Sequence, residues 1–183
     1  MTKKECNVHC TVNFPGIWVN ADRFEIALRD SLGPHHRDSH EVTFHFPVGC
    51  KIMVDGAIRL LSLANQLVDS TRRVHMNFEE AEAGTMGYLN RMGFFDHLAE
   101  QVEVAPARPE YSGAELHRGS NVMLVEIAQI NKSVRDDDLP TRLTDAISHA
   151  CRGREDVDEL KGAAWTIFAE LIDNIFCTQR HET

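Results

Sequence analysis

The sequence has no apolar stretch near the roughly 18 residues that would cross a bilayer as a helix. Its opening, Met1-Thr2-Lys3-Lys4-Glu5-Cys6, lacks the apolar core of a secretion signal. Cysteine is sparse: Cys6, Cys10, Cys50, Cys151 and Cys177 are odd in number and irregular in spacing. That pattern argues against a disulfide framework and suits a reducing compartment. Basic charge is short as well, with 19 Lys and Arg against 28 Asp and Glu, a net charge of −9. Phosphate backbones and anionic membranes are bound by clustered Lys and Arg, so this balance sets both aside as general partners. No Gly-x-Ser-x-Gly elbow and no Gly-x-x-x-x-Gly-Lys loop occurs. The ten histidines include His35, His36 and His40 in one loop, but none has the paired spacing of a structural zinc site. These absences lead to the expectation of a cytoplasmic protein with no membrane and no nucleic-acid partner.

What remains is ordinary globular material. The 183 residues are 43% hydrophobic and 26% charged, enough for one domain or one domain plus part of another. Val8, Cys10, Val12 and Phe14 alternate as a strand until Pro15-Gly16 breaks the pattern. Ala21 to Leu32 has helical spacing, with Phe24, Ala27, Leu28 and Leu32 on one face. Val42, Phe44 and Phe46 alternate again, closed by Pro47. Asp55 to Val68 predicts a helix whose face of Ala57, Leu60, Leu61, Ala64, Leu67 and Val68 suits packing on a sheet. Val74, Met76 and Phe78 predict a third strand, and Glu79 to Met92 a helix with Ala81, Thr85, Tyr88, Leu89 and Met92 on one side and Gly93 as its stop. Strand, helix, strand, helix at these spacings is the mark of an α/β layer structure.

Residues 104–120 hold two prolines and two glycines and lose all periodicity, which predicts a linker. On that reading residues 1–103 form one α/β domain and residues 121–183 a second segment. There, Asn121 to Ile130 reads as a strand. A helix follows, capped by Asp138, with Pro140 in its first turn and an apolar face of Leu143, Ala146, Ile147, Ala150 and Cys151. A last helix runs from about Asp156, with Leu160, Ala164, Ile167, Phe168, Leu171 and Ile175 expected to face a core.

In that last helix, Ala169-Glu170-Leu171-Ile172-Asp173-Asn174 places a carboxylate and a carboxamide at i and i+4, stacked on one side. An Asn carbonyl can supply one oxygen ligand to a hydrated Mg²⁺ while a nearby Glu deprotonates a water. The competing reading is a solvated helix face. The string resembles the N-box of the histidine-kinase-like (GHKL) ATPases. The resemblance implies Asn174 as the ligand of an ATP-bound Mg²⁺, and Glu170 as the general base or a group behind it. It also makes residues 121–183 the start of such a domain. The chain departs from the family after Asn174: the glycine-rich boxes that form the ATP lid are missing, so ATP and Mg²⁺ binding is expected to be incomplete. Either this is a piece or truncated variant of a longer ATPase, or the segment is a degenerate module that keeps the helix for packing.

Val42-Thr43-Phe44-His45-Phe46, Lys51-Ile52-Met53-Val54-Asp55-Gly56-Ala57 opening a Leu-rich helix, Val74-His75-Met76-Asn77-Phe78, and Tyr88-Leu89-Asn90-Arg91-Met92-Gly93-Phe94-Phe95 together resemble a STAS-like domain. This is the fold of anti-sigma-factor antagonists. Phosphoswitch members carry a Ser or Thr at the start of the first of these helices, where the dipole favours phosphate. This chain has Met53-Val54-Asp55-Gly56 there, without a hydroxyl, and Asp55 reads as a cap or as a fixed negative charge. Cys50, after Gly49, is either a reactive loop thiol or a small buried one. Arg72, Arg73 and Arg91 are surface groups or contacts for an acidic partner. The function expected is regulatory, through contact with a protein such as a kinase or regulator. The alternative is a divergent single binding module without nucleotide chemistry.

Overall fold

The computed structural model describes residues 8–31, 33–36, 39–118, 125–128, 130 and 136–177. The chain divides into two compact units between Leu116 and His117. Among the described residues no helix is long and apolar enough to cross a membrane.

The first unit is built on four strands, β1 (Val8–Asn13), β3 (Ser39–Phe46), β5 (Arg73–Phe78) and β6 (Glu103–Ala105), all parallel and adjacent in that order. Two short strands, β2 (Trp18–Val19) and β4 (Lys51–Ile52), pair with each other as a separate parallel ribbon. Helices α1 (Ala21–Asp30) and α2 (Val54–Asp69) form the first two crossovers. In a parallel sheet whose strands follow in chain order, crossovers of one hand drop every helix on the same face. The alternation of burial records this. Cys10, Val12, Val42, Phe44, Phe46, Val74, Met76 and Phe78 are buried, while their neighbours His9, Thr11, Glu41, Thr43, His45, Arg73, His75 and Asn77 are exposed or half-buried. A parallel sheet is usually covered on both faces; here the second face is polar in sequence and carries its own ion pairs.

Each crossover helix forms where its pattern predicts. Asn20 caps α1, its side chain accepting the Arg23 N–H at 3.1 Å, and Phe24 and Ala27 are buried. In α2, Ala57, Leu60, Leu61, Ala64 and Leu67 are buried as expected, and Leu63 joins them. Aromatic rings fill the core at the strands' C-terminal ends: Phe14 stacks on Phe46 at 4.8 Å, and Phe46 on Phe78 at 4.4 Å. Phe78 in turn meets the edge of Phe95 at 6.3 Å.

Two element boundaries in the first unit differ from expectation. The helix expected from Glu79 is shorter: a 3-10 turn (Ala81–Ala83) precedes α3 (Thr85–Arg91), because the Glu79 and Glu80 side chains hold the loop before β4 instead of a first helical turn. The linker expected over 104–120 is partly built into the first unit. After α4 (Phe94–His97), β6 completes the sheet, and α5 (Gly113–His117) follows. The Arg108 guanidinium donates to the Ala99 carbonyl at 2.8 Å, Ser112 to Asp96 at 2.7 Å, and Asn90 accepts the Gly113 N–H at 2.9 Å. Such side-chain bonds leave no periodic trace in a sequence.

In the second unit α6 (Leu139–Ala150) packs on α7 (Val157–Cys177), with Lys161 paired to Asp145 at 2.9 Å. Pro140 lies in the first turn of α6 as expected; Asp138 holds the cap position but makes no side-chain capping bond. The strand expected over 121–130 falls partly outside the described residues, and residues 125–128 and 130 are not in a strand. On α7, Ala164 and Ile172 are buried, whereas Ile167, Leu171 and Ile175, expected to face a core, are exposed.

Candidate functional site

Ligands of open parallel sheets gather beyond the C-terminal ends of the strands, where successive loops converge. Here two such loops cross. The turn after β1 and the turn after β3 touch so closely that a Cβ on Gly16 would lie 2.8 Å from the Val48 carbonyl oxygen. Gly49 takes the left-handed conformation at φ 77°, which a side chain would strain. Beyond the crossing the chains run side by side as β2 and β4, Lys51 donating its N–H to the Ile17 carbonyl and Met53 to Val19. The other wall is the 80–88 segment, tied to β4 by the Thr85 hydroxyl, which donates to the Cys50 carbonyl at 2.6 Å.

Between these walls lies a cavity of about 490 Å³, within the size range of ligand sites. Ile52, Met53 and Val54 line it on one side, Ala83, Thr85 and Tyr88 on the other, with Trp18 at the rim. Around its mouth large apolar side chains stand in solvent: Trp18 is 57% exposed, Val48 64%, and Met53 and Val54 45% each. Ile58, one turn beyond Val54 on α2, is exposed too, as is Tyr88. Apolar side chains gathered at the mouth of a cavity are the kind of surface that marks an interaction site. The Lys51 ammonium lies 5.4 Å from the centre of the Trp18 ring, a cation–π contact that holds the indole at the rim.

The titratable groups here are held by burial and by hydrogen bonds to the chain. Cys50 is buried, and burial pushes its thiol up to about 11, with the Glu80 charge adding to the rise and Thr85 opposing it. Of the two readings of Cys50, the structure selects the buried thiol. Burial, then the Asp55 charge, raises Tyr88 above the usual phenol range. Asp55 is held below the usual carboxylate range, first by the Ala21 N–H. Glu79 and Glu80 are tethers: their Oε2 atoms accept the N–H groups of Val48 at 3.0 Å and Gly49 at 2.8 Å. His45, on the polar sheet face, reaches the other Glu79 oxygen at 3.2 Å.

Glu170 and Asn174 belong to the second unit. They lie one turn apart on α7, both exposed, beside the exposed Leu171 and Ile175. Among the described residues no group of three or more His, Cys, Asp and Glu side chains is placed to hold a metal ion. His35, His36 and His40 are exposed, and His75 sits between Glu41 at 3.4 Å and Glu103 at 3.1 Å. Arg72, half-buried, donates from its guanidinium to the carbonyls of Pro34, His35 and His36. Arg73 pairs with Glu41 at 2.8 Å.

Trp18, Met53, Val54 and Tyr88 were not among the residues the sequence singled out for function, and Tyr88 was assigned to a core face. The signal was there in part. Ile17-Trp18 follows a Pro-Gly break, and Val54 and Ile58 fall off the buried stripe of α2, so neither pair has a core to fill.

The chain matches no known family model, no curated protein and no solved structure.

Proposed function

We propose that the protein is a regulatory binding module of STAS-like plus GHKL type that acts by docking another protein on the apolar face around the cavity. The observation that carries this reading is the cluster of Trp18, Val48, Met53, Val54, Ile58 and Tyr88, large apolar side chains left in solvent beside a cavity at the loop end of a parallel sheet. Hydration of that surface is unfavourable, and a partner that covers it recovers about 25 cal/mol per Å² of apolar area, less the cost of association.

The resemblance to phosphoswitch domains falls on the same end of the unit, at the start of α2. Asp55 supplies a fixed negative charge where those domains add a phosphate. In this reading the protein stands permanently in one state, its affinity set without a modification at that position. Asn174 and Glu170 are the proposed Mg²⁺ ligand and base of an ATP site that this segment holds only in part. Within the second unit α6 and α7 offer one helical wall, so no catalytic step is assigned to them.

Tagged wild type, Trp18→Asp and Thr11→Asp test the docking face after mild crosslinking in the source cells. Loss of the same dominant protein adduct from Trp18→Asp, with retention by Thr11→Asp on the polar sheet face, is the expected result. Equal recovery by all three overturns it.

A further inference from the structure

The cavity reaches below the exposed apolar face. Trp18, Met53, Val54 and Tyr88 stand in solvent at its mouth, whereas Cys50, Ile52 and Thr85, which also line it, are buried. The recess between them holds about 490 Å³. An apolar cavity of about 150 Å³ takes one benzene, so there is room here for a body of roughly three rings. One side chain of a docked protein would leave most of that space empty, and unfilled apolar space forfeits the contacts its walls could make.

The walls also set the charge of the occupant. Among the described residues, the charged side chains that line the cavity are Lys51 and Glu80, one of each sign. Both are engaged: the Lys51 ammonium lies 5.4 Å from the centre of the Trp18 ring, and Glu80 Oε2 accepts the Gly49 N–H at 2.8 Å. The Thr85 hydroxyl is given to the Cys50 carbonyl, and burial keeps the Cys50 thiol protonated. A charged ligand would lose hydration here and gain no free counter-charge, so the walls select against it. Trp18 and Tyr88 add two aromatic rings to the lining, and rings pair favourably with rings.

Going beyond the docking face, which needs only the exposed rim, we infer that the cavity binds a small uncharged molecule with a flat apolar body of about two to three rings.

N-Phenyl-1-naphthylamine, which is uncharged and brightens in apolar sites, supplies the probe, and 1-anilinonaphthalene-8-sulfonate carries the same rings with an added sulfonate. The full chain is expected to bind the uncharged probe saturably, at one per chain, and the sulfonate at least about tenfold more weakly. Ala83→Phe and Val54→Phe narrow the cavity from opposite walls and should each weaken the uncharged probe about tenfold or more, with thermal unfolding as the check on folding. Thr11→Asp, on the polar sheet face, should bind the probe like wild type. Binding that does not saturate, equal affinity for the sulfonate, or wild-type affinity in both narrowed variants overturns the inference. If the probe fails to bind while Trp18→Asp still loses the crosslinked adduct, the docking face stands and the cavity ligand falls. If the probe binds as expected and adduct recovery is indifferent to Trp18→Asp, the docking face falls and the cavity ligand stands.

Discussion

The carboxylate of Asp55, on the second residue of α2, accepts the backbone N–H of Ala21, the first residue of α1, at 3.0 Å. Its other oxygen accepts the N–H of Gly56 at 2.9 Å. One side chain thus satisfies donors at the start of two helices, where helix dipoles favour negative charge. The residue expected as an ordinary cap joins the two loops that build the cavity.

This sets a pH dependence. Asp55 titrates below its unfolded value, so its contribution to stability is present above about pH 4 and is lost as pH falls through the lower folded value. Asp55→Asn should melt below wild type near neutral pH, with the gap closing in acid. Thermal unfolding of both proteins across pH checks this; a gap constant with pH contradicts it.

Cys50 should resist alkylation. With its thiol pushed up to about 11, little thiolate exists near pH 8, and iodoacetamide should label it at least about a hundredfold more slowly than in the unfolded chain. Peptide mapping after timed labelling reads the rate. Comparable labelling in native buffer and in denaturant would contradict the buried assignment.

Phe46 stands between Phe14 and Phe78 in the ring stack and is 1% exposed. Phe46→Ala should cost roughly 3–5 kcal/mol, the range for aromatic truncation in a core. Denaturant titration measures the loss. A loss under about 1 kcal/mol would mean that the stack is not the core of this unit.

Gly16→Ala should damage the site more than the sheet. The added Cβ falls 2.8 Å from the Val48 carbonyl, so the crossing loops must part, at a cost of about 1–3 kcal/mol. In a Trp165→Phe background, where Trp18 is the one indole left, fluorescence should change with little change in far-ultraviolet circular dichroism. Wild-type fluorescence and stability would show that the loops are not in this close contact.

Most of the sheet was legible because its longer strands alternate: a residue such as Val74 or Met76 has one face to go to, and a period of two says which. The helices α1, α2, α6 and α7 were legible for the corresponding reason. β6 was not, because three residues carry too short a pattern, and it is the ladder with Met76 that makes Glu103–Ala105 a strand. The cavity was invisible for a different reason. It arises from long-range hydrogen bonds, Thr85 to Cys50 and Met53 to Val19, which depend on the fold and leave no local periodicity. The sequence pointed instead to Glu170 and Asn174, where local spacing is strong, and the structure leaves those two exposed on a helix face.

Photocrosslinking from single positions tests the docking claim most directly. A photoreactive phenylalanine analogue is placed at Val54, on the apolar face, and separately at Thr43, on the polar sheet face, and adducts formed in the source cells are quantified by mass spectrometry. A dominant adduct to one protein from position 54, absent from position 43, is the predicted result. No adduct from 54, or the same adducts from both, would contradict it.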